Sequence, residues 1–258
     1  MAHRIVGISA FTALLALAPA TLAAQEVRSP HDAQPERPTV ATHAGTVAPG
    51  WLEIEIGIER DDPDPESVSL STPTLLKLGV ASHLQFDLSL TTVQPSSDRS
   101  FGIGDAAVGL KWRLLDGAPL LGDFAVQPSL KFPTGSMSEG TGSGTTDLSL
   151  LLISSHVLGP VALDVNVGYT RRSSSGEAAN AMLWTVSTGT TVSGPWTVAA
   201  EVFGYPGFAG PGSVGFLAGP TYTVRRWLVV DAGFIARVSG PQSPALYAGL
   251  TWNIGRVW

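Results

Sequence analysis

The chain has no cysteine among its 258 residues, which excludes disulfides, thiolate metal ligands and a cysteine-borne lipid anchor. Charge is also scarce. Asp, Glu, Lys and Arg make up 14% of the residues, against the roughly 25% usual in soluble proteins, so much of the surface must face something other than water. Acids outnumber bases, 21 to 15, for a formal charge of −6. Loss of Arg4 with a cleaved leader would make it one unit more negative, which argues against a nucleic-acid partner. Long helical membrane spans are lacking too. Leu148 to Leu163 is free of formal charge but is interrupted by Gly159-Pro160, and it falls short of the ~20 apolar residues a spanning helix needs. Longer uncharged stretches near 178–200 and 202–224 are too rich in Thr, Gly and Pro for helices.

What is present begins with MAHRIVGISAFTALLALAPATLAA. His3 and Arg4, an apolar run and small residues at Ala23 and Ala24 have the form of a cleaved secretory signal over 1–24. An exported chain without disulfides points to a Gram-negative envelope, where a closed sheet can supply the stability. Residues 25–49 hold four prolines and show no periodicity; they are expected to form an extended periplasmic leader. From Gly50 to Trp258 the pattern is period two, as in WLEIEIGIE, where Leu52, Ile54, Ile56 and Ile58 alternate with Glu53, Glu55, Gly57 and Glu59.

The alternation predicts twelve strands, near 51–60, 67–78, 84–92, 103–115, 123–132, 146–156, 161–171, 181–192, 196–205, 215–224, 228–238 and 245–258. Connections alternate in length. DDPDPE, VQPSSDRSFG, PTGSMSEGTGSGT, RRSSSGEAAN, PGFAGPGSV and SGPQSP are long, whereas GVASH, LGP, SGP and RRW are tight, with DGAPLLG an exception. An even strand count with long loops at one end and short turns at the other is the pattern of an all-β, antiparallel transmembrane barrel of about twelve strands. Trp51, Trp112, Trp196, Trp227 and Trp258 then fall at the short-turn rim, and Trp184, Tyr169, Tyr205 and Phe101 at the other. Amphipathic rings favour headgroup level, so these tryptophans are expected at the membrane interface, with outer-membrane lipid around the barrel.

The chain ends on ALYAGLTWNIGRVW, with Leu246, Ala248, Leu250, Trp252 and Ile254 on one face and Tyr247, Gly249, Thr251 and Asn253 on the other. Tyr247, Gly249, Trp252, Ile254 and the final Trp258 resemble the terminal signal read by the outer-membrane assembly machinery. The resulting expectation is a monomer in the outer membrane with both ends of the barrel chain periplasmic.

Sites of chemistry are few. GIGDAA, with Gly102, Gly104 and Ala107, lies between two predicted strands and opens no helix, so it is no dinucleotide fingerprint. GTGSGTTD lacks the lysine of a phosphate loop and reads as a flexible external loop. His31, His43, His83 and His156 are far apart, which leaves no metal centre, and no cofactor is implied. His156 beside Ser154 or Ser155 is the one local candidate for hydrolysis, too thin to make the chain an enzyme. The informative polar residues are those assigned by register to the lumen: Glu53, Glu55, Asp87, Asp105, Lys111, Arg113, Lys131, Asp147, Asp164, Asn166, Glu201, Asp231 and Arg237. On the lipid face a midplane Arg or Lys would cost about 2–4 kcal/mol. Both signs occur, compatible with a polar conduit or with a network that closes a narrow barrel.

FGIGDAAVGLKWRLL (101–115), QPSLKFPTGS (127–136), GSGTTDLSLLL (142–152), ALDVNVGYT (162–170) and ALYAGLTWN (245–253), with GTVAPGWLEIEIG before the first strand, resemble the outer-membrane transporter family of the MetA-pathway-of-phenol-degradation type. The resemblance covers nearly the whole mature chain. It implies a barrel that lets small, hydrophobic or aromatic solutes pass down their gradient. The rival expectations are a structural barrel whose lumen is closed by ion pairs or by the leader folding inward, and an outer-membrane hydrolase.

Overall fold

The computed structural model describes residues 29–62, 68–96, 101–173, 179–207 and 211–258. The expected signal over 1–24 lies outside the described residues.

The strands are β1 (Trp51–Asp61), β2 (Ser69–Ala81), β3 (Leu84–Gln94), β4 (Gly102–Ile103), β5 (Ala106–Ala118), β6 (Gly122–Phe132), β7 (Asp147–Leu158), β8 (Val161–Arg172), β9 (Asn180–Ser193), β10 (Trp196–Tyr205), β11 (Ser213–Arg225), β12 (Leu228–Ser239) and β13 (Ala245–Arg256). The two-residue β4 pairs with β3 just beyond the stretch where β5 does, so β4 and β5 make one stave interrupted at Gly104-Asp105. Twelve antiparallel staves result. Each stave pairs with its sequence neighbours, and β1 closes the circle on β13 from Trp51↔Arg256 to Asp61↔Ala245.

Local chemistry accounts for the staves and the turns. Gly159 (φ 63°) and Gly194 (φ 53°) each precede a proline in a two-residue hairpin turn, the glycine taking a backbone conformation that a Cβ would strain. DGAPLLG is not the exception its length suggested. β5 and β6 stay paired through bulges as far as Ala118↔Gly122, leaving only residues 119–121 as the turn.

Alternation gives each stave an apolar outer face: Ile56, Phe86, Leu110, Leu150, Val167, Val198, Phe234 and Leu246 are all exposed. Polar residues of the opposite face, including Glu53, Lys77, Lys111, Asn166 and Glu201, are buried. This inverts a soluble protein and is what a wall between lipid and a polar interior requires. Among the described residues the apolar clusters inside are small. Ala44 packs with Ala125, Ile153 and Leu151, and Val40 with Phe203, Leu217, Tyr247 and Ile235. Both contain residues that precede the first strand.

Candidate functional site

The interior is occupied by the leader. The segment 25–49 was expected to be an extended leader, with inward folding as the rival; its described part, continuing to residue 50, loops into the lumen and returns to Trp51. The ascending limb starts at the short-turn rim. There Asp32 accepts two hydrogen bonds from Arg226, both 3.0 Å, Ala33 N donates to Arg226 O at 2.7 Å, and the His31 ring lies 4.9 Å from Trp51 and 6.1 Å from Trp227. These two tryptophans therefore cover the leader. Trp112, Trp196 and Trp258 are exposed at that rim. Trp184 lies across Gly204, where an added Cβ would come within 2.7 Å of its ring.

Deeper in the lumen the wall grips the leader by its main chain. Gln34 N donates to Glu53 (2.8 Å), Glu36 N and Arg37 N to Glu55 (2.7 and 3.2 Å), and Val40 N and Ala41 N to Glu201 (2.7 and 2.8 Å). The returning limb continues the pattern, with Thr42 N to Asn166 (2.8 Å), Ala44 N to Ser155 (2.8 Å) and Val47 N to Gln85 (2.8 Å). Carbonyls are taken as well: Gln34 O by Lys77 (2.6 Å), Thr42 O by Asn166 (3.0 Å), and His43 O and Gly45 O by Lys111 (3.2 and 3.4 Å). A segment with four prolines cannot satisfy its own backbone in a helix or sheet, and buried N–H groups must find partners. The inward side chains of the staves provide them.

Two leader side chains add charge. Glu36 accepts from Lys111 and lies 3.9 Å from Lys77, which also pairs with Glu53 (2.6 Å) and Glu55 (2.5 Å). Burial alone would raise the Glu36 carboxyl, but Lys111 and Lys77 overcome this and hold it well below the usual carboxylate range. Arg37 reaches Asp231 with two 3.2 Å hydrogen bonds. Its guanidinium crosses Gly57 and Gly249, register partners on β1 and β13, and a Cβ at either would lie 2.5 Å from one of its nitrogens. Gly249 of the terminal motif thus also leaves room for the leader. Tyr247 faces the same space and donates to Ala218 O at 3.3 Å, while Trp252 and Ile254 face outward.

The remaining lumen candidates lie elsewhere. Asp87 is buried and accepts from Gln85 and Gln127, both 2.8 Å. Asp164 accepts from Ser155 at 2.5 Å. Arg113 Nε lies 3.0 Å from Asp116 in an ion pair near the short-turn rim. At the long-loop end Lys131 bridges Asp105 (2.9 Å) and Asp147 (3.2 Å). Asp105 also accepts from Ser143 N (2.9 Å), Ser143 Oγ (2.6 Å) and Gly135 N (3.1 Å), fastening a loop expected to be flexible. Arg237 is exposed and donates to Gln242 O, away from the leader.

Sequence reasoning did not assign Lys77 or Gln85 to the lumen, considered Ser155 only beside His156, and offered the inward-folding leader as a rival expectation without naming its contact residues. Lys77 was hidden because Leu75-Leu76 blurs the alternation of β2; its register opposite Glu53 and Asp87 would have exposed it. Of the hydrolase candidate, Ser154 and His156 lie within hydrogen-bond distance on one face. Ser154 Oγ donates to Leu121 O (2.8 Å) while lying 3.1 Å from His156, and Ser155 turns to the other face. Among the described residues no group of three His, Asp or Glu could hold a metal ion.

The profile of the family described as "Putative MetA-pathway of phenol degradation" matches residues 36–253, and the chain belongs to that family. A search of curated proteins finds no match. Among solved structures the chain is similar to an outer-membrane channel from Pseudomonas putida, with 14% identity and a TM-score of 0.61 over 81% of this chain and 97% of that one. It is also similar to the KdgM porin (10%, TM-score 0.56, 78% and 99%) and the NanC porin (10%, TM-score 0.53, 79% and 100%). At such identities the likeness establishes the fold, that of outer-membrane channel barrels.

Proposed function

We propose that this member of the phenol-degradation family is an outer-membrane channel for passive passage of small, hydrophobic or aromatic compounds, regulated by its own N-terminal segment. The observation that carries the reading is the loop from Gln34 to Val47 inside the lumen, held by inward side chains of staves on all sides. Side chains alone fill a barrel of about eight strands, and twelve enclose a wider interior. Here the filling is a separate strand of chain whose main chain is bound through side-chain oxygens and ammonium groups. Such contacts can be broken while the barrel ladder stays intact.

Eight leader N–H groups are accepted by the wall. At a net ~1 kcal/mol each, complete withdrawal is strongly disfavoured, so partial rearrangement is the economical route to opening. Passage needs no chemistry: the gradient drives it, and the wall sets size and charge preference. The aromatic solute class rests first on the family. Its support within the barrel is an apolar stretch of lumen at Leu151 and Leu183.

The test is single-channel conductance and solute swelling with purified protein, with and without residues 25–47, folding being checked by heat-modifiable mobility. Phenol-sized solutes are expected to pass, faster without the leader. No flux of ions or aromatic solutes in either form would leave the structural barrel as the correct reading.

A further inference from the structure

The leader does not fill the lumen evenly. Besides about 240 Å³ beside β1 to β3 and about 680 Å³ at the short-turn rim near Arg113, Ser155 and Asp164, two spaces lie along β6 to β11. One, of about 620 Å³, opens toward the short-turn rim between the ascending limb and inward residues such as Asp164, Ser187, Ala199 and Thr221. The other, of about 310 Å³, lies toward the long loops and is lined by Leu151, Gly168, Thr170, Leu183 and Tyr205.

On three adjacent staves a single narrow layer separates them. It consists of Asn166 between Asp164 and Gly168 on β8, Thr185 between Ser187 and Leu183 on β9, and Glu201 with Phe203 between Ala199 and Tyr205 on β10. All four are buried, as are Ala41 and Thr42 of the leader. The layer is completed by the clasp on that leader stretch: Glu201 takes Val40 N and Ala41 N, and Asn166 both donates to and accepts from the main chain of Thr42. The Thr185 hydroxyl, fully buried in the same layer, has no hydrogen-bond partner.

We propose that this layer is the gate of the conduit, and that a small uncharged solute crosses along the β8–β10 side when Asn166 and Glu201 release Val40–Thr42. The inference rests on the channel reading above. Three features point here rather than to the opposite wall. Free volume meets one layer from both sides here, about 620 and 310 Å³, against about 240 Å³ beside β1 to β3. The hold here is four hydrogen bonds to main chain without an ion pair, whereas Glu36 and Arg37 are anchored elsewhere through Lys77, Lys111 and Asp231. Release would also leave the Asn166 amide and the Thr185 hydroxyl to satisfy a hydroxyl-bearing solute. The rest of the leader need not move.

The absence of native cysteine makes the test direct. Leu183→Cys and Ser187→Cys are placed singly in the full chain, reconstituted in vesicles, and exposed to membrane-impermeant thiol reagents from either side. Leu183→Cys should react from the long-loop side only and Ser187→Cys from the short-turn side only. In the Asn166→Ala/Glu201→Ala background both should react from both sides, and phenol flux should rise. Reaction of Ser187→Cys from both sides in the otherwise native chain would overturn the proposal, as would preserved sidedness in a folded clasp variant. Should the double variant fail to assemble, Thr42→Pro, which removes one clasped N–H, carries the same measurement. Merged chambers without solute flux would support the gate and overturn the channel reading; flux with unchanged sidedness would do the reverse.

Discussion

Lys77 offers the sharpest test of the interior. Its ammonium is fully buried and meets three oxygens at short range: Glu53 at 2.6 Å, Glu55 at 2.5 Å and the Gln34 carbonyl at 2.6 Å. Lys77→Met keeps most of the stem and removes the charge. Glu53 and Glu55, adjacent on the inner face of β1, then confront each other unpaired, and the leader loses one anchor. Breaking a buried ion pair typically costs about 3–5 kcal/mol because a charge is stranded, whereas an exposed pair is worth about 0.2–1 kcal/mol. Two stranded carboxylates place the expectation at the upper end of the first range. Urea titration of the reconstituted barrel, followed by tryptophan fluorescence and by heat-modifiable mobility, gives the loss. Adding Glu55→Gln should recover part of it, since one of the repelling charges is gone. A loss below about 1 kcal/mol, the exposed-pair range, or no recovery in the double variant, would refute the argument that this cluster is dry and mutually dependent.

Other perturbations read different parts of the structure. Gly249→Val should expel the Arg37 guanidinium, whose Nε would lie 2.5 Å from the new Cβ, and speed cleavage at Glu36 by a Glu-specific protease. Gly189→Ala, whose Cβ meets nothing nearer than 3.8 Å, should leave that rate unchanged. Deletion of Trp258, or Trp252→Asp on the outward face, should leave the chain unassembled in the periplasm; normal outer-membrane yield in both would remove the terminal signal from the account. Thiol labelling of intact cells should reach Ser138→Cys, in the long loop after β6, and spare Gly194→Cys in the tight β9–β10 turn; the opposite result reverses the topology. Arg226→Ala breaks the exposed pair with Asp32 and should change stability by no more than about 1 kcal/mol.

The barrel was legible in the sequence because its determinants are local. A strand between lipid and a polar interior must alternate, so Leu52 to Ile58, Leu84 to Leu90 and Leu246 to Ile254 declare their faces residue by residue, and Gly159-Pro160 and Gly194-Pro195 declare their turns. The same alternation is enough to send Glu53, Glu55, Lys111, Asn166 and Glu201 inward. Inward folding of the leader was one of several readings, but which groups these side chains face was not legible. The leader offers main-chain N–H and carbonyl groups, which every non-proline residue carries, so its sequence holds no sign that Ala41 meets Glu201 or that Thr42 meets Asn166, partners 160 and 124 residues away. Only closure of β1 on β13 brings those side chains into one ring around the axis. Only within that ring do unpaired carboxylates and an unstructured, proline-rich segment satisfy each other, and tertiary structure decided that the interior holds a bound strand of the protein itself.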